Sequence, residues 1–259
     1  MSSPPRIIRS LTDLRRLYPH LGPGDLVLGY LPLRPGEEIL VLDLLSRGVT
    51  FYPSYLSQAL SRSKAAQAAV LREFMVPGTQ VAYGTADLAG LTVHFPPDLP
   101  VVCKRDRAHL GLGVSRWPSL EALLGLASLQ QLGYPLVIQP FVAGARDFRA
   151  VVVGAYTELY ERTNPHDFRQ NLYQGGIAAP APFPAAWQEF CRRVMARGGF
   201  PYAVLDLLLA PDGRIHLSEI NLTAGLKASR LGQAEYRRQV ARLLEAEAAR
   251  WEGSLRTPP

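Results

Sequence analysis

Apolar positions along this chain come in two spacings. Short runs and alternating stretches predict strands, and runs repeating every three to four residues predict helices. Asp25 to Leu31 (DLVLGYL) reads as a strand. Pro35 to Ser46 reads as a helix with Pro35, Glu37 and Glu38 in its first turn and Gly48 past its end, and Thr50 to Tyr52 as a second strand. Ser63 precedes an Ala-rich helix, KAAQAAVLREFM, which Pro77 and Gly78 stop. Residues 79–102 hold the strand-like runs QVAY, LTVHF and PVVC. A glycine-containing loop (AHLGLGV), a helix from Ser119 to Leu132 and a strand over 135–141 follow.

The second half is dominated by two hairpins. RDFRAVVV turns at Gly154-Ala155 into YTELYERT, and YAVLDLLLA turns at Pro211-Asp212-Gly213 into RIHLSEINL. A loop from Asn164 to Gly176 and a helix around Trp187 to Ala196 separate them, and an Arg-rich helix closes the chain near Gly253. No repeat of 20–50 residues is visible. Strand pairs segregated from helices predict an α+β fold with antiparallel sheets, preceded by a short α/β region.

The second hairpin carries the clearest chemistry. Asp206 lies within the apolar run VLDLLL, where an unpaired carboxylate would be costly, so a cation is expected to face it. Glu219 and Asn221 are two apart and share one face of the returning strand. A two-residue turn at Asp212-Gly213 would pair Pro211 with Arg214 and set Asp206 opposite Glu219. Two carboxylates placed so repel each other, and a divalent cation would turn that cost into a site; oxygen donors favour magnesium. In the first hairpin, a two-residue turn sets Asp147 opposite Arg162, with Arg149 on the same face as Asp147. Arg149 and Arg162, followed by Asn164, Asn171 and Gly175-Gly176, gather donors suited to carboxylate or phosphate oxygens. Lys104 ends the strand PVVCK, and Gly111 and Gly113 in the next loop would let backbone amides approach phosphate.

Charge and composition narrow the classes. The 259 residues are 47% hydrophobic, and 28 Lys and Arg against 22 Asp and Glu give a net charge of +6. Only Lys64, Lys104 and Lys227 are lysine; the remaining cations are arginines scattered without a stripe or interleaved aromatics, which argues against a nucleic-acid partner. No apolar run reaches membrane-spanning length, and the first twenty residues show no apolar leader. Cys103 and Cys191 form no C-x-x-C pair, which predicts a reducing cytoplasm and no structural zinc. The five histidines show no metal-ligand spacing, and G-x-S-x-G is absent.

Taken in order over about residues 60–228, these segments resemble the ATP-grasp superfamily, and within it the RimK-like group of ribosomal-protein glutamate ligases. The resemblance rests on SRSKAAQAAVL, PVVCK with its glycine loop, LVIQPFV, RDFRAVVVG, the ER-TN...FRQNLYQGG run, LDLLL and SEINLTAGL. It implies a shortened N-terminal region over 1–62 and an ATP-grasp domain over 63–256, with ATP gripped between two α+β subdomains. By that resemblance Lys64, Lys104, Gly111 and Gly113 meet the phosphates, and main-chain groups at Gln139, Pro140, Phe141 and Val142 meet adenine. Asp206, Glu219 and Asn221 hold Mg²⁺, two ions with Mn²⁺ as a substitute, and Arg149, Arg162 and Asn171 neutralise the transferring phosphoryl group. The implied activity joins a small-molecule or peptide carboxylate to an amine through an acylphosphate, releasing ADP and phosphate. A phosphotransferase and a non-catalytic nucleotide-binding module are the alternatives, and a homo-oligomer is compatible with the pattern. Pro140 stands where the group usually has an acidic residue, and Ala224 where it usually has proline.

Overall fold

A computed structural model describes residues 4–108, 113–129, 132–170 and 172–256. Three sheets follow one another along the chain. Strands β1 (Ile7–Ile8), β2 (Leu26–Leu28) and β3 (Thr50–Tyr52) form a parallel sheet in that order, with α1 (Leu11–Leu17) and α2 (Glu38–Ser46) in its crossovers. Leu14, Val27, Val41 and Leu44 are fully buried in its core.

Helices α3 (Tyr55–Leu60) and α4 (Lys64–Val70) lead into a four-stranded antiparallel sheet. It contains β4 (Gln80–Ala82), β5 (Val101–Arg105), β6 (Val114–Trp117) and β7 (Leu136–Pro140) in the order β4-β7-β5-β6. Helices α5 (Thr85–Leu91) and α6 (Leu120–Leu129) cover it. The run LTVHF, expected as a strand, ends α5 and forms a 3₁₀ turn over Thr92–His94. Leu88, Leu91 and Phe95 turn the apolar side of this segment onto the sheet, while Val93 is left exposed, a helical rather than an alternating division.

The largest core belongs to a five-stranded antiparallel sheet. Its strands are β8 (Arg146–Val153), β9 (Tyr156–Thr163), β10 (Ile177–Ala181), β11 (Tyr202–Leu209) and β12 (Ile215–Asn221), ordered β10-β9-β8-β11-β12. Helix α7 (Ala185–Gly198) packs on it through Cys191, Val194 and Met195. The last helix, α8 (Gly232–Arg256), returns to the first sheet, where Leu244, Ala248 and Trp251 meet Leu26 and Leu28. Strand β10 and helix α3 had no counterpart in the sequence reading.

The β8–β9 hairpin has the predicted two-residue turn, and Asp147 pairs with Arg162. The β11–β12 hairpin reaches the expected Asp206–Glu219 pairing by another route. Its loop has three residues, closed by Ala210 N donating to Arg214 O at 2.9 Å, with Gly213 in the left-handed region at φ 82°. Leu207 therefore pairs with Leu217, one residue out of the predicted register, and a bulge at Ser218 brings Asp206 back opposite Glu219.

Strand β12 is an edge, and helix α4 closes it. Gln67 Nε2 donates to Ile220 O at 2.9 Å and to Leu60 O at 2.8 Å, while Gln67 Oε1 accepts from Ile220 N at 3.0 Å. One side chain thus supplies the two backbone bonds a neighbouring strand would give. Ser61 Oγ accepts from Leu222 N at 2.9 Å just beyond. Replacing Gln67 with Leu would strand Ile220 N and Ile220 O, while Leu60 O would keep its bond from Ser63 N at 3.2 Å, so Gln67→Leu should cost about 2–4 kcal/mol. Urea unfolding checks this; a loss below 0.5 kcal/mol would show that β12 holds its edge unaided.

Candidate active site

Two sheets of opposite origin face each other across one cavity of about 800 Å³. The four-stranded sheet contributes Val102, Lys104 and Gln139, and the five-stranded sheet contributes Asp147, Arg149, Arg162, Asp206, Ser218, Glu219 and Asn221. Lys64, at the first position of α4, joins them from the side. Side chains separated by more than 150 residues in sequence meet here because α4 is fastened to both walls.

Its fastening to the four-stranded sheet runs through Asp106. Asp106 Oδ1 accepts from Ala65 N and from Ser63 Oγ, both at 3.0 Å, so the residue following β5 caps the helix that carries Lys64. Lys64 Nζ in turn donates to Ala108 O at 2.6 Å and pairs with Glu219 Oε1 at 3.2 Å. Gln67 and Ser61 make the opposite fastening, to β12. Lys104 Nζ reaches Ser218 Oγ at 3.2 Å and Ser218 O at 3.4 Å. The bulge that corrects the hairpin register therefore also presents its extra residue to a cavity lysine.

The cation expected opposite Asp206 is Arg149, its register partner on β8. Arg149 Nε and Nη2 donate to Asp206 Oδ1 and Oδ2 at 2.6 and 2.8 Å, and Arg162 Nη2 adds a contact to Oδ2 at 3.3 Å. Burial alone would raise the Asp206 pKa, but Arg149 and then Arg162 hold it well below the usual carboxylate range. Arg162 also donates to Asp147 Oδ1 at 2.5 Å; burial, the largest influence there, pushes the Asp147 pKa up. The repulsion anticipated between Asp206 and Glu219 is thus relieved by protein cations, Arg149 on one side and Lys64 on the other.

Asp206, Glu219 and Asn221 nonetheless bring hard oxygen donors to one wall. Among the described residues no group of three or more His, Cys, Asp or Glu side chains is arranged to hold a metal ion. Two carboxylates and a carboxamide suit Mg²⁺, which keeps several waters and is shared with phosphate oxygens, better than an ion caged by protein alone.

The other predicted positions divide. Phe141 and Val142 line the cavity; Pro140 does not, and its ring packs toward Gly78. Phe141 N is already spent on Pro100 O at 2.8 Å. Gly113 is outside the lining too. Its carbonyl accepts from Arg105 N at 2.7 Å, and a Cβ there would collide with Ala108, so glycine is required by packing. Gly111 and Asn171 lie outside the described residues. Asn164, grouped with the donors above, organises its own loop: its Oδ1 accepts from His166 N at 3.0 Å and its Nδ2 donates to Arg169 O at 3.0 Å.

Residues not anticipated include Phe168 and Arg169 in the wall. Phe141 and Phe168 meet edge to face at 6.5 Å, with Arg116 over the first ring at 5.0 Å and Arg169 over the second at 4.6 Å. The loop 164–176, which contains few apolar residues, offered little sign of this. Lys227, the third lysine of the sequence, also lines the cavity.

The RimK-like ATP-grasp domain family matches residues 59–243. A probable alpha-L-glutamate ligase of Citrobacter koseri is 26% identical over 185 residues, 68% of this chain and 61% of that protein. The ribosomal protein bS6–L-glutamate ligase of Salmonella paratyphi B is 25% identical over the same shares. The chain thus spans about three fifths of the length of the curated relatives it matches. Among solved structures, the D-alanine-D-alanine ligase from Coxiella burnetii superposes with a TM-score of 0.59 at 13% identity, over 90% of this chain and 72% of that one.

Lys104 gives the site a measurable electrostatic signature. Burial pushes its pKa down to about 8, with Glu219 opposing that shift. The unfolded chain therefore keeps the Lys104 proton to higher pH than the folded one, and this group's contribution to stability rises as pH climbs from about 8 to 10.5. Below pH 8 the charged lysine costs the fold up to about 3 kcal/mol. Lys104→Met should accordingly be more stable than the native chain at pH 7, with the gap shrinking between pH 8 and 10. Parallel urea titrations read it, and a gap independent of pH would show that the ammonium is not desolvated.

Proposed function

Because the chain belongs to the RimK-like ATP-grasp family, we propose that it is an ATP-dependent carboxylate-amine ligase. The observation that carries this reading is the cavity between the two antiparallel sheets. There Lys64, Lys104, Arg149 and Arg162 face Asp206, Glu219 and Asn221.

The chemistry asks for charge neutralisation more than for a nucleophilic side chain. A substrate carboxylate oxygen attacks the γ-phosphorus of ATP, the bond from that phosphorus to the β–γ bridging oxygen breaks, and ADP leaves. The amine nitrogen then attacks the acyl carbon of the acylphosphate. Its C–O bond to phosphate breaks, and the proton lost by nitrogen leaves with phosphate. Lys64 and Lys104 would hold the phosphates, and Arg149 and Arg162 would offset the repulsion between two anions. Asn171 would add to these. Asp206, Glu219 and Asn221 would hold Mg²⁺, which supplies further positive charge at the phosphoryl oxygens. Adenine would lie by Phe141 and Val142, with Phe168 closing the apolar end. We read residues 1–62 as a shortened N-terminal unit and 63–256 as the nucleotide-gripping part, with the end of α8 packed back on the first.

The substrates follow from the relatives only as a proposal: an acidic amino acid as amine, in keeping with their glutamate ligase names. ADP and phosphate release from Mg-ATP should require both an acid and an amine, with product mass equal to the two minus water. A stable phosphorylated acceptor in the absence of amine would identify a phosphotransferase instead. Glu219→Gln should abolish Mg²⁺-dependent nucleotide binding, and undiminished binding would remove the metal assignment.

The guanidinium on Asp206 adds a prediction of its own. Metal must compete with Arg149 for that carboxylate, so nucleotide phosphates that draw the arginine away should tighten metal binding. Mn²⁺ titrated by electron paramagnetic resonance should bind about tenfold tighter with ADP present. Arg149→Met should reproduce part of that gain without nucleotide; equal Mn²⁺ affinity in native and variant chains would show that the arginine does not compete.

A further inference from the structure

All three lysines of the chain line this cavity, although every other cation in its sequence is arginine. Surface charge is supplied by guanidinium groups, and the compact ammonium is used only here. Lys64 has Glu219 as its partner and Lys104 has Ser218. Lys227 makes no ion pair or hydrogen bond among the described residues and sits exposed at the cavity wall, on the loop that follows β12.

That loop is built to hold its place. Glu158 on β9, only 2% exposed, accepts from Arg230 N at 3.0 Å and Ser229 Oγ at 2.5 Å, with Tyr156 Oη at 3.1 Å and Arg230 Nε at 3.2 Å around it. At the other end Tyr236 Oη donates to Leu222 O at 3.0 Å, and Arg149 Nη1 donates to Gly225 O at 2.9 Å. The six residues 223–228, Lys227 among them, are therefore held at both ends by buried Glu158 and Tyr236 and between them by Arg149, the arginine that grips Asp206. A lysine serving only solubility would not need such support.

The cations deeper in the cavity suffice for phosphates. What enters from the solvent side is the second reactant, and an ammonium standing there is suited to recognise an anion that it carries. We propose that Lys227 binds a carboxylate carried by the amine substrate, making it a specificity-determining residue for an amino acid over a simple amine. This rests on the ligase reading.

The test pairs Lys227→Gln and Lys227→Arg with two amine probes, L-glutamate and its diamide, in which both carboxylates are neutral. In Lys227→Gln the KM for L-glutamate should rise on the order of tenfold, with the KM for ATP and the kinetics on the diamide unchanged and Lys227→Arg partly restoring the native value. A rise of the same size for the diamide, a parallel rise in KM for ATP, or no change at all would overturn the assignment. If the native chain releases no ADP with any amine, the ligase reading fails separately, and Lys227 is judged by binding. L-glutamate added with Mg²⁺ and a non-hydrolysable ATP analogue should then raise the melting temperature of the native and Lys227→Arg chains but not of Lys227→Gln. Equal stabilisation of all three, or none of the native chain, overturns the proposal.

Discussion

A carboxylate buried in the middle of a sheet constrains everything around it. Asp206 occupies an apolar strand, and leaving it unpaired would cost more than most single interactions return. Arg149 answers from the directly opposed position on β8, and Arg162 reaches the same carboxylate from β9 while holding Asp147. Four charged side chains on three adjacent strands satisfy each other only in one register. A slip of one residue in β11 would turn Asp206 to the other face, leaving that carboxylate without either guanidinium and Arg149 without its carboxylate, while Arg162 kept only Asp147. The same cluster forms the floor of the cavity, so the demand that fixes the sheet also fixes the site.

Helix α4 extends that order to the opposite wall. It is only seven residues long, too short to be stable alone, and it holds its form by its attachments. Asp106 caps it from one sheet and Gln67 grips the edge strand of the other. Lys64, at its first position, is thereby delivered between Ala108 O and Glu219. The cavity is bridged at its side by a helix that belongs to neither sheet.

Much of this was legible in the sequence, because strand pairing follows alternation and turn chemistry. Residues 146–163 spelled a hairpin with a two-residue turn, and the Asp147–Arg162 pair came directly from counting. The second hairpin was harder. Pro211-Asp212-Gly213 closes as a three-residue loop, and no local rule places the compensating bulge at Ser218; the Asp206–Glu219 pairing emerged because two one-residue errors cancel. Tertiary clamps were illegible for a plainer reason. Gln67 and Ile220 are 153 residues apart, and a glutamine in an Ala-rich helix gives no local sign that it will stand in for a strand. Lys227 was hidden too, since an exposed lysine on a loop reads as surface until the loop's anchors are seen.

The charge balance of the cavity explains why so much fastening is needed. Its acids are each taken up by a partner: Glu219 by Lys64, Asp206 by Arg149, and Asp147 by Arg162. Lys104 forms no ion pair among the described residues, and Lys227 forms none either. The protein has therefore balanced every carboxylate in the wall and left positive charge over, one part buried and one at the solvent side. Buried excess charge disfavours the folded state, and a fold that retains it needs stability from elsewhere, here from the apolar cores of its three sheets and from the clamps on α4. An anion entering the cavity would be favoured for the same reason that the empty cavity is not. Phosphates suit the buried excess, and a reactant bearing its own negative charge suits the exposed one.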